Sequence, residues 1–259
     1  MNEDERRIYL IKYLLNENNK YENYEIPNDI TQQQKMLRAL MNVREPNKIS
    51  DEFLLVQDEY LKQRSKERGI IDTSFFKLVK SNDRLFIYQG DITTLKCDAI
   101  VNACNLKMLG CFAPLHDCID NFIHTYAGIQ LRLKINEIMI NQGHDEKTGT
   151  AKITSGYNLP CKYILHTVGP IININVTKED ERLLSSCYKK CLELATKNNI
   201  KSIAFCCIST GVFSFPNDKA CKIAVDTVSE FLKKDNSIKQ VIFNVFKDED
   251  FKLYNQLLN

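Results

Sequence analysis

The chain has 259 residues, 44% of them hydrophobic, enough for one good core and a smaller appendage. Its 35 Lys and Arg nearly balance its 33 Asp and Glu, for a formal net charge of +2; with no dense basic block, composition argues against nucleic acid or a membrane surface and for a small ligand or a protein as partner. Ten cysteines would suggest disulfides in a short secreted chain, but the start, Met1-Asn2-Glu3-Asp4-Glu5-Arg6-Arg7, has no apolar signal core and no run reaches membrane-spanning length, so we expect a cytoplasmic protein with reduced, mostly buried thiols.

The chain reads as helical at first. Ile8, Leu10, Ile11, Leu14 and Leu15 recur at three-to-four spacing, as do Met36, Leu37, Leu40 and Met41, while Thr31 with Gln34 reads as a capping box. Phe53, Leu54, Tyr60 and Leu61 suggest a third helix. This polar segment holds no cluster with an obvious chemical use, so residues 1–78 are expected to be a helical extension packed on a main domain of residues 79–259.

Past residue 80 short β-branched runs alternate with helical ones. Strands are predicted near Leu85–Tyr88, Ala99–Asn102, Ala151–Thr154, Tyr163–Val168, Ser202–Ile208 and Val241–Phe246, and helices near Ile119–Gln142, Lys178–Asn198, Asp218–Lys233 and Glu249–Leu258. Such alternation argues for a layered α/β domain with a largely parallel sheet. Ligands of these sheets bind where loops leave the carboxyl ends of strands, which singles out the loops after Gly90, Val101 and Ile208.

Each loop carries polar chemistry with two readings. In Gly90-Asp91-Ile92-Thr93 the carboxylate suits an exocyclic amine such as that of adenine, and equally a turn that caps itself. Asn102 and Asn105 place amides at a strand end, for ribose hydroxyls or for the loop backbone. Ser209-Thr210-Gly211-Val212-Phe213 offers close backbone approach and donors to phosphate, or is only a turn. Between them lies Gly110-Cys111-Phe112-Ala113-Pro114-Leu115-His116-Asp117-Cys118. Two thiolates and an imidazole suit zinc, and three protein ligands rather than four is the count of a catalytic site; two buried apolar cysteines and a helix-capping histidine account for the string as well. His116 and Cys118, two apart, cannot face one metal from inside a helix, so a shared ion requires the helix to begin at about Cys118.

Taken in order, these segments resemble the macrodomain family, which binds ADP-ribose. The likeness runs from about Arg84 onward: Gly90-Asp91-Ile92-Thr93, Val101-Asn102-Ala103-Cys104-Asn105, Gly149-Thr150-Ala151, Thr154-Ser155-Gly156-Tyr157-Asn158-Leu159-Pro160, Ile164-Leu165-His166-Thr167-Val168-Gly169-Pro170 and Ile208-Ser209-Thr210-Gly211-Val212-Phe213. The string from Met108 to His124 further resembles the zinc-dependent members, which also carry an N-terminal helical extension.

By that resemblance the fold is a three-layer α/β/α macrodomain with a mixed, largely parallel central sheet. It makes Cys111, His116 and Cys118 ligands of Zn2+, with helix dipole and metal charge both expected to favour the thiolates. Asp91 takes the adenine, with Ile92 beside it; Asn102 and Asn105 serve the ribose, and Ser209, Thr210, Gly211 and Val212 the diphosphate, with Phe213 against the distal ribose. Asp120 and Asn105 are the implied catalytic residues. The implied activity is zinc-dependent removal of mono-ADP-ribose from proteins, with a sirtuin-type ADP-ribosyltransferase as the source of the modification; a non-catalytic reader of ADP-ribose or an O-acetyl-ADP-ribose deacetylase are the alternatives. Two departures stand out: Cys104 replaces a usual alanine and Ser214 a frequent glycine. His166 and His124 are expected to be structural.

Overall fold

In the computed structural model, which describes residues 1–259, three helices come first: α1 (Glu3–Asn16), α2 (Ile30–Val43) and α3 (Asp51–Arg68). Leu10, Ile11, Leu14, Leu37, Leu40, Phe53 and Leu61 close a core of their own, which also takes in Ile129 from the larger unit. The N-cap of α2 is Asp29, whose carboxylate accepts from the Gln32 N–H at 2.8 Å, and not Thr31, which lies inside the first turn. Asp outranks Thr as an N-cap, so the earlier residue wins.

The chain enters the larger unit at β1 (Ile71–Asp72), which pairs with β3 (Leu95–Lys96). The main sheet holds β2 (Leu85–Gln89), β4 (Ala99–Cys104), β5 (Ala151–Ser155), β6 (Tyr163–Val168), β7 (Ser202–Phe205) and β8 (Gln240–Val245), in the order β2-β8-β7-β4-β6-β5. All neighbours are parallel except β5, which runs antiparallel to β6. Buried on both faces, β4 and β6 read as near-continuous apolar runs.

Topology decides where a ligand can sit. The crossover from β4 to β6 runs one way along the sheet, through α4 (Ile119–Ala127) and α5 (Ile129–Gln142). Those from β6 to β7 through α6 (Lys178–Lys197), and from β7 to β8 through α7 (Asn217–Lys234), run the other way. Right-handed connections therefore put α4 and α5 on one face and α6 and α7 on the other. The loops leaving β4 and β7 part company between these adjacent strands, which opens a crevice at their carboxyl ends. The last helix, α8 (Asp248–Leu258), packs on β2 and β8. No helix is long and apolar enough to cross a membrane.

Two expected spans are corrected. The single helix over Ile119–Gln142 breaks at Gly128, whose φ of 100° lies in the left-handed region; Gln57 of α3 enters the break and accepts from the Ile129 N–H at 2.9 Å. Strand β7 stops at Phe205 rather than Ile208, because Cys206 and Cys207 turn away to wall the crevice ahead of Ser209 with its φ of 66°. The other main-sheet strands and the remaining helices fall within a residue or two of their predicted spans.

The turn between β5 and β6 depends on one glycine. A Cβ on Gly156 would stand 2.1 Å from the carbonyl oxygen of Cys161. Gly156→Ala is therefore expected to destabilise the fold by about 3 kcal/mol or more, read as a lower midpoint in urea unfolding; an unchanged midpoint would show that this turn yields freely.

Candidate functional site

The crevice is a cleft of about 940 Å³ lined from β2, β4, β7 and β8 and from the start of α4. The wall that carries Cys111, His116 and Cys118 begins where β4 ends. Asn105 organises the exit: its side-chain oxygen accepts from the N–H groups of Lys107 (3.0 Å) and Met108 (3.1 Å), and its amide donates to the Gly110 carbonyl at 3.2 Å. The Asn105 side chain thus holds the loop backbone while also lining the cleft. Gly110, with φ 85°, lies flat against His124, and a Cβ there would meet the ring at 2.8 Å. That close approach delivers Cys111 to the cleft.

Helix α4 begins at Ile119 with Cys118 as its N-cap, as shared ligation by His116 and Cys118 requires. Cys111 Sγ and His116 Nδ1 are 3.5 Å apart, and the donor atoms of Cys111, His116 and Cys118 all lie within 4.8 Å of one another. Zinc bonds of about 2.3 Å to sulfur and 2.0–2.1 Å to nitrogen put tetrahedral ligands roughly 3.3–3.8 Å apart, so the triad fits the ion with a small inward movement. Burial pushes the Cys118 thiol up to about 12, against the pull of the Asn121 N–H, and Cys111 beside it adds to the rise. Burial therefore outweighs the helix start at this thiol.

Asp120, one residue inside α4, is 5% exposed and faces the same cleft. Burial pushes its carboxyl up to about 6, opposed by the 2.8 Å hydrogen bond from Asn102 and by the charge of Arg132. Asn102 is wholly buried behind Asp120 and does not line the cleft, which corrects its assignment to the ligand. Its amide also meets His166 Nδ1 at 3.2 Å, while His166 Nε2 meets Thr154 Oγ1 at 2.9 Å. Burial lowers His166 to about 3, so the ring is neutral and is satisfied by accepting at Nδ1 and donating at Nε2. Asn102 and His166 support the Asp120 carboxylate from beneath.

The opposite wall is the loop after β7. Ser209 packs so tightly on Gly169 that a Cβ there would sit 2.0 Å from Ser209 Oγ. The N–H groups of Gly211, Val212 and Phe213 donate to no protein acceptor, while those of Ser214 and Phe215 fold back to Gly211 and Ser209. Open space surrounds Gly211. Free N–H groups on one exposed turn make a nest for an anion. Ser214 has φ 57°, in the left-handed region, which is the physical reason a glycine suits this position.

At the far end Asp91 accepts from Thr93 N (2.8 Å) and Thr93 Oγ1 (2.6 Å), so the self-capping turn forms; Ile92 is buried in the cleft wall. Its carboxylate is also paired with Arg68 of α3, whose guanidinium lies 3.5 Å over the Tyr126 ring. Sequence reasoning missed Phe246, 79% exposed on the cleft rim just past β8, together with Asn244, Lys247 and Asp250. An aromatic at the very end of a strand was the available signal for Phe246.

A model of the Macro domain matches residues 101–224. The chain is 54% identical to a protein-ADP-ribose hydrolase of Treponema medium, the match covering 100% of both chains. It is 49% identical to a protein-ADP-ribose hydrolase of Staphylococcus aureus (strain MSSA476), covering 97% of this chain and 94% of that one. Among solved structures, the Trypanosoma brucei macrodomain in complex with ADP-ribose superposes with a TM-score of 0.67 at 28% identity, over 86% of this chain and 95% of that one.

Proposed function

This chain belongs to the macrodomain family, and from that premise we propose that it is a protein-ADP-ribose hydrolase that works with a zinc ion held by Cys111, His116 and Cys118. The observation that carries the reading is the meeting of this donor triad, the Asp120 carboxylate and the free N–H groups of residues 211–213 in one cleft.

In the proposed complex Asp91 accepts from the adenine amine, using lone-pair capacity left by Thr93 and Arg68, and Phe246 offers its exposed ring to the base. The N–H groups of Gly211, Val212 and Phe213 hold the diphosphate. The distal ribose then lies between Phe213 and the start of α4, where Asp120 orients water toward the anomeric carbon and takes its proton as the bond to the protein acceptor breaks. Zinc would supply a Lewis acid there, brought close to neutrality by two thiolates. The reading also puts the protein in the cytoplasm, where the two ligand thiols are kept from oxidation, with substrates modified by a sirtuin-type ADP-ribosyltransferase.

Incubation with a mono-ADP-ribosylated protein is the test, with released ADP-ribose measured before and after exhaustive chelation. We expect release that chelation removes and zinc restores. Undiminished release from metal-free protein sinks the zinc assignment, and binding without any release makes the protein a reader instead.

A further inference from the structure

The helical extension touches the ligand loop at two points: Asn42 Oδ1 of α2 accepts from the Leu115 N–H at 3.1 Å, and an arginine of the same helix reaches the loop nearer the candidate ligands. Arg38 of α2 donates from Nη2 to the His116 carbonyl at 2.8 Å, and from Nη2 and Nε to Asn121 Oδ1 at 2.9 and 3.3 Å. Its guanidinium lies 4.2 Å over the Phe122 ring, which fixes the plane of the fork. With its oxygen taken by Arg38, the wholly buried Asn121 amide must turn its NH2 toward the loop, where it donates to the carbonyls of Ala113 (3.0 Å) and Cys111 (3.5 Å). The Asn121 backbone N–H in turn donates to Cys118 Sγ at 3.4 Å. The pair therefore touches all three candidate ligands: the backbone of Cys111 and His116 and the sulfur of Cys118.

We propose that Arg38 and Asn121 are a positioning pair that presets the three donor atoms, so that the N-terminal extension contributes a residue to the metal site. This rests on the zinc reading above. A loop such as Cys111–Cys118, with five consecutive exposed residues from Ala113 to Asp117, has little side-chain packing of its own to fix it. Removing Arg38 frees the Asn121 amide to turn over, and the carbonyls of Ala113, Cys111 and His116 lose their shared restraint. Lysine cannot replace the arginine fully, because one ammonium on a flexible stem does not span a carbonyl and an amide oxygen as a planar fork does.

The experiment uses the full chain. Zinc affinity is measured by competition with a chromophoric chelator, and the Co2+-substituted protein is followed by its visible absorption, for wild type, Arg38→Ala, Arg38→Lys and Cys118→Ser. We expect Arg38→Ala to weaken zinc binding about 10- to 100-fold, the usual range for a lost partner of a ligand, and to alter the cobalt spectrum. Arg38→Lys should fall between it and wild type, and decides the matter if the alanine variant does not fold. ADP-ribose affinity should hold. Wild-type zinc affinity and an unchanged cobalt spectrum in the Arg38 variants overturn the proposal while leaving the zinc reading intact. A wild-type protein that binds zinc no better than Cys118→Ser overturns the zinc reading and this proposal with it.

Discussion

Replacing Cys118 with alanine is expected to lower turnover on a mono-ADP-ribosylated protein by roughly 10³-fold, about 4 kcal/mol of transition-state stabilisation, with ADP-ribose affinity nearly unchanged. The two quantities separate because Cys118 sits at the start of α4, whereas Asp91 and the N–H groups of residues 211–213 belong to other elements of the cleft. Cys118 has a second duty, since its sulfur caps the helix by accepting from Asn121 N. Losing a cap costs about 0.5–2 kcal/mol of stability, so the alanine variant alone cannot tell a missing ligand from a loosened helix. Serine can. It is a stronger cap than alanine and a poor partner for zinc, so Cys118→Ser should recover thermal stability and stay inactive. A serine variant that hydrolyses at the wild-type rate would show that only the cap matters.

Asp120 is the other position where a large effect is expected. Loss of a positioned acid–base group costs about 10²- to 10⁴-fold in turnover, and we expect both Asp120→Ala and Asp120→Asn to fall in that range. Their stabilities should differ. Alanine leaves the buried Asn102 amide without its 2.8 Å acceptor, a loss of about 1–3 kcal/mol. Asparagine keeps the shape and can still accept from Asn102, while removing a charge that burial disfavours, so this variant should be at least as stable as wild type by urea unfolding. A stable, ADP-ribose-binding and catalytically dead Asp120→Asn is the outcome that assigns the carboxylate to the chemistry. Wild-type turnover in that variant would reduce Asp120 to a helix-start carboxylate.

Much of the site was legible because its residues are close in sequence. Cys111, His116 and Cys118 lie within one loop, and the demand that His116 and Cys118 share an ion placed the helix start at Cys118 from helix geometry alone. The turns at Gly90-Asp91 and Ser209-Thr210-Gly211 declared themselves through residues that favour tight backbone. Asn102 is instructive in the other direction. It looked like a ribose ligand because it ends a strand pattern, but β4 continues to Cys104 and carries Asn102 under Asp120.

The features readable from residue order are local: the period of each element, the helical character of the extension, and the families of side chains that meet within a single loop. These follow from spacing along one chain, and the largely parallel sheet follows from the alternation of strand and helix. The remaining features arise only on packing. The order β2-β8-β7-β4-β6-β5 sets the loops of β4 and β7 face to face, and contacts such as Arg38 with His116 and Asn121, Arg68 with Asp91, or Gln57 with Ile129 join residues far apart in the chain. No periodicity encodes such pairs, because a polar side chain finds its partner only after packing has removed water from both.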